Sequence, residues 1–111
     1  MQVQQQGEVR IELIDQLPGD LVEHDEFTAK GDYIVSHSES GHHHVLERSS
    51  AKVYRDKGNA SILYAIVERP TEMLQSAARP HEGAPMQPGI YQMTLAREFD
   101  PFAKEARRVA D

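Results

Sequence analysis

Asp32-Tyr33-Ile34-Val35-Ser36-His37-Ser38-Glu39-Ser40-Gly41-His42-His43-His44-Val45-Leu46-Glu47 is the stretch that decides the fold class. Its two arms, 32–39 and 42–47, carry β-branched and aromatic residues that suit a pleated, half-buried surface. Between them Ser-Glu-Ser-Gly supplies turn chemistry, and Gly41 takes a positive φ without a Cβ clash. Two strands joined by so short a turn run antiparallel. A loop at residues 38–41 sets His37 opposite His42 and Val35 opposite His44. Side chains alternate along a strand, so His37, His42 and His44 are expected on one face, with His43 and Val45 on the other.

Four of the six histidines fall in positions 37–44. Directly paired residues hold their Cβ atoms roughly 4.5–5.5 Å apart, within reach of one shared ion. Three protein ligands plus water is the usual open zinc arrangement, with Zn–N near about 2.0–2.1 Å. The expected ligand is therefore a divalent metal (Zn, Ni or Fe), and no nucleotide. The same run also suits a solvated or hydrogen-bonded histidine hairpin that only exchanges protons with water. His24, isolated in an acidic stretch, reads as a surface residue.

Working outward, residues 1–7 are polar and read as a flexible arm. Residues 8–14 alternate, with Val9, Ile11 and Leu13 on one face. Leu17-Pro18-Gly19-Asp20 is a turn, and residues 21–30 are ambiguous, with a possible short strand from Phe27. Residues 51–56 alternate again, and Lys57-Gly58-Asn59 marks a turn. Residues 61–68 are the most apolar run, buried on both faces and so placed centrally in a sheet. Residues 70–88 carry four prolines and read as a long irregular loop of the kind that is often functional. At its centre stands Arg79-Pro80-His81-Glu82. This loop is expected to fold over the hairpin and bring His81 to His37, His42 and His44 as a fourth imidazole. A strand from Ile90 puts Tyr91, Met93 and Leu95 on one face. Asp100 and Pro101 then suit the N-cap and first position of a helix over 101–110. The expected architecture is mainly β, a small antiparallel barrel or roll of six to eight strands in one domain, 8–111, closed by that helix.

The totals narrow the class. A chain of 111 residues with 39% hydrophobic content forms one domain with a modest core. There is no cysteine, so thiolate metal sites and disulfides are excluded. Twelve basic against eighteen acidic residues, a net charge of −6, argue against a nucleic-acid binder. No apolar run approaches the roughly 20 residues of a membrane span, and the start is unlike a signal peptide. Nucleophilic catalysis has little support, because Ser36, Ser38 and Ser40 belong to a serine-rich turn and no Gly-x-Ser-x-Gly elbow occurs. Glu39 and Glu82 are candidate general bases beside a metal.

Clustered strand histidines in a small β-fold resemble the cupin arrangement in architecture. Gly31 followed by His37 fits its opening, but Glu39 stands where the next histidine belongs, and none follows Pro88-Gly89. A wider resemblance is to uncharacterised short bacterial and phage-encoded proteins. It rests on Gly7 to Val9, on His37 to Val45 (His-Ser-Glu-Ser-Gly-His-His-His-Val), and on Arg79 to Glu82. It extends through Pro88 to Tyr91, Arg97 to Phe99 and Arg107 to Asp111. The resemblance implies a shared fold and a histidine cluster, together with phage occurrence. Three classes follow: a non-enzymatic metal-binding β-domain with a structural or accessory role, a virion component such as a capsid decoration protein, and a cupin-like metalloenzyme. A modest core and an acidic N-terminal half point to a homo-oligomer or a subunit of a larger assembly, cytoplasmic or in a virion.

Overall fold

A computed structural model of the chain describes residues 3–6, 9–37, 43–75 and 83–95. Alternation sets the strands. Val9–Ile14 (β2), Ala51–Asp56 (β6), Ile62–Val67 (β7) and Gly89–Leu95 (β10) each send every second side chain into the interior. Shorter strands complete the set: Val3–Gln6 (β1), Leu21–Glu23 (β3), Tyr33–Ser36 (β4), His44–Leu46 (β5), Thr71–Gln75 (β8) and Ala84–Met86 (β9).

The strands form two antiparallel sheets, with orders β1-β2-β10-β7-β6-β3 and β4-β5-β8-β9. Val9, Ile11, Val53, Leu63, Tyr91 and Met93 of the larger sheet share one core with Tyr33, Val35, Leu46, Met73 and Met86 of the smaller. The expected barrel is therefore replaced by two sheets over one core, because no ladder joins an edge of one sheet to an edge of the other among the described residues. The expected helix over 101–110 lies outside the described residues. Part of the expected arm is used differently, since β1 aligns residue by residue with β2 from Val3↔Glu12 to Gln6↔Val9.

The expected irregular loop over 70–88 is the largest departure. It supplies β8 and β9, paired from Thr71↔Met86 to Met73↔Ala84. Met73, Ala84 and Met86 are buried in the core. Pro85 is tolerated because β9 is an edge strand, where a missing N–H costs no ladder bond. The central place expected for the apolar run at 61–68 holds: β7 lies between β10 and β6. Leu63, Ala65 and Val67 enter the core, and Tyr64 is buried on the opposite face.

One segment ties the sheets together. After β3, the His24 N–H donates to Val53 O on β6, while Ile34 N–H on β4 donates to Glu26 O. Phe27 then bridges Tyr33. The chain thus leaves one sheet and joins the other within three residues, a corner of the kind that closes a sandwich. The turn back to β4 is fixed by Thr28 N–H to Asp32 O at 2.8 Å, Gly31 N–H to Thr28 O at 2.9 Å, and a positive φ of 95° at Gly31.

Candidate functional site

The histidine hairpin holds a bulge that changes its register. Ile34 aligns with Val45, but the next pair is Ser36↔His44, with the irregularity between Ile34 and Ser36. Val35 and Ser36 together occupy the space opposite one residue, so every later side chain is shifted. The expected pairing of Val35 with His44 is thereby corrected. His44 turns inward and is 1% exposed. It stands in a row between Ser36 on β4 and Gln75 on β8. His37, by contrast, is exposed and meets His43, the rings edge-on with centroids 4.9 Å apart. His37 and His44 therefore do not share a face, and His43 joins His37 instead of pointing away from it. His42 and His81 lie outside the described residues.

The corner segment brings a carboxylate to this pair. Glu26 Oε2 lies 3.2 Å from His37 Nε2. Its other oxygen, Oε1, is 3.8 Å from Nε2 of His24. His24 Nε2 itself sits 2.7 Å from Ile34 O, an oxygen that can only accept, so Nε2 carries the proton. His24 is 5% exposed, and among the described residues its Nδ1 has no hydrogen-bond partner. The expectation that His24 decorates the surface is overturned: its backbone bonds one sheet and its ring the other.

The site is thus a graded row, from buried His24 through half-exposed Glu26 to exposed His37, with His43 partly buried beside it. Reading the sequence missed Glu26 and His24 because both sit in an acidic run whose other members face water. The local signal in the sequence is the short strand expected from Phe27, which the structure reduces to a single bridge to Tyr33. Among the described residues, no three His, Cys, Asp or Glu side chains stand close enough to hold a metal ion as they are placed. A groove on the outer face of the smaller sheet, lined by Lys30, Asp32, Glu47, Thr71, Glu72 and Leu74 among others, contains no histidine.

Residues 5–95 match the family model of a domain of unknown function (DUF8820). The chain belongs to the DUF8820 family. The match ends at Leu95, the last residue of β10. Membership agrees with the resemblance to an uncharacterised family. No curated protein matches this DUF8820 chain, and no solved structure does. Among its described residues, no helix is long and apolar enough to cross a membrane.

Proposed function

We propose that this chain is a small non-enzymatic β-domain whose histidine hairpin binds a divalent cation between His37 and His43, in a structural or accessory role. The supporting observation is the 3.2 Å contact of Glu26 Oε2 with His37 Nε2. With Nε2–H donated to the carboxylate, Nδ1 of His37 is left as a lone pair for a metal. Metal-binding histidines commonly hold their second N–H in this way, and the carboxylate fixes tautomer and ring orientation. His43 is the second imidazole, already in contact with the first. An ion held by both rings would take water in its remaining positions. His42 and His81 are the candidates for further ligands. His44, inside the core, is not part of the proposed set.

Calorimetric titration of tag-free protein with Zn²⁺ and Ni²⁺ tests this reading. His37→Ala and His43→Ala should each lose at least about tenfold in affinity, some 1.4 kcal/mol. Glu26→Gln should lose about tenfold while keeping both imidazoles. A similar loss in His81→Ala would add the fourth imidazole. No binding by the wild type, or equal affinity in His37→Ala, would sink the proposal.

A further inference from the structure

Four strand edges bound the two sheets, and three of them are blocked. β3 is three residues long, carries Glu23, and its chain departs for the other sheet at His24. β4 is covered by the Phe27↔Tyr33 bridge and the Ile34 N–H to Glu26 O bond. β9 is three residues long and centred on Pro85, which has no N–H to offer. Short length, charge, proline and a covering segment are the usual means of keeping edges from pairing with other chains. β1, four residues long, has neither charge nor proline, and it meets β9 through the Gln4 side chain and not through a strand pairing. Its sequence, Val3-Gln4-Gln5-Gln6, is uncharged and free of proline, and its register with β2 is continuous. Among the described residues, no strand pairs its outer side.

We propose that β1 is an interaction surface for β1 of a second copy, the two strands running antiparallel about a two-fold axis and joining two six-stranded sheets. An extended edge presents alternating N–H and C=O groups that an identical strand satisfies reciprocally. Identical copies with a net charge of −6 repel one another, and β1 itself adds no charge to that repulsion. Val3, 46% exposed, adds an apolar contact. The strand is also held ready: the Gln4 Nε2 amide donates to Pro85 O at 2.6 Å, fastening β1 to the smaller sheet. An interface of this length is small, so the association is weak and reversible. It is independent of the metal reading.

Sedimentation velocity in the presence of a chelator, from micromolar to millimolar protein, tests the edge apart from the metal. The wild type should show a monomer–dimer equilibrium. Gln5→Glu keeps β1 in place, because residue 5 aligns with Arg10 on β2, but sets like charges across the two-fold axis. It should weaken the dimer at least about tenfold, with recovery at high salt as the repulsion is screened. Amide exchange at residues 3–6 should slow as wild-type concentration rises. A wild type that stays monomeric at millimolar concentration would overturn the proposal. So would a Gln5→Glu protein that is folded by circular dichroism and dimerises like the wild type.

Discussion

His24 shows how one side chain can serve two sheets. Its backbone N–H is committed to Val53 O at 3.0 Å and its ring to Ile34 O at 2.7 Å. Removing the ring leaves a buried carbonyl without its donor, a loss of about 1–3 kcal/mol, and a void beside Tyr33, whose ring centroid is 6.3 Å away. His24→Ala should therefore lower stability by at least about 2 kcal/mol. Urea unfolding reads this as a lower midpoint with an unchanged slope. A change under about 0.5 kcal/mol, the range of ordinary surface substitutions, would deny the staple role. Nothing in the sequence around His24 marks it. Glu23, Asp25 and Glu26 all face water, and one buried residue among them becomes visible only when the chain is seen to cross between sheets.

At the scale of elements, alternation made β2, β6, β7 and β10 legible from their residues alone, and these four are consecutive or adjacent members of the larger sheet. β8 and β9 were obscured by four prolines in nineteen residues, although Pro85 sits harmlessly on an edge and Met73 and Met86 keep the alternation. The hairpin was legible as a hairpin, but its bulge was not. A one-residue slip costs little in propensity and decides which histidines meet. The neighbouring turn makes a cleaner test. Gly31 has φ 95°, and an added Cβ would meet nothing within 4 Å, so any penalty in Gly31→Ala is conformational. It should cost about 1–2 kcal/mol, seen as a lower thermal midpoint. Gly19→Ala has the same open surroundings without the positive φ and should be neutral or slightly stabilising. Equal effects from the two substitutions would show that the turn is not held in its left-handed geometry.

For the whole molecule, two buried phenols report on the two faces of the larger sheet. Burial raises Tyr64 above the ordinary tyrosine value, with Asp56 adding to the effect, and burial likewise raises Tyr91. Below about pH 10 both are protonated whether the chain is folded or not, and their contribution is fully present. As pH climbs past that value the unfolded chain releases protons first, so stability falls with pH until the folded phenols titrate. Alkaline unfolding followed by tyrosine absorbance should show this slope, and Tyr64→Phe with Tyr91→Phe should flatten it. An unchanged slope in the double variant would place the titrating groups elsewhere. The larger sheet has one more consequence, for the order of events in time. β2, near the start of the chain, lies between β1 and β10, and its alignment with β10 runs from Val9↔Leu95 to Ile14↔Ile90. During synthesis, β2 waits with one side unpaired until residue 95 has emerged. The domain then closes around contacts that span almost its whole length, which places its folding in the slow, millisecond-to-second range of non-local β topologies. A nascent chain halted before β10 should remain open to protease at residues 9–14, and one extended past Leu95 should not.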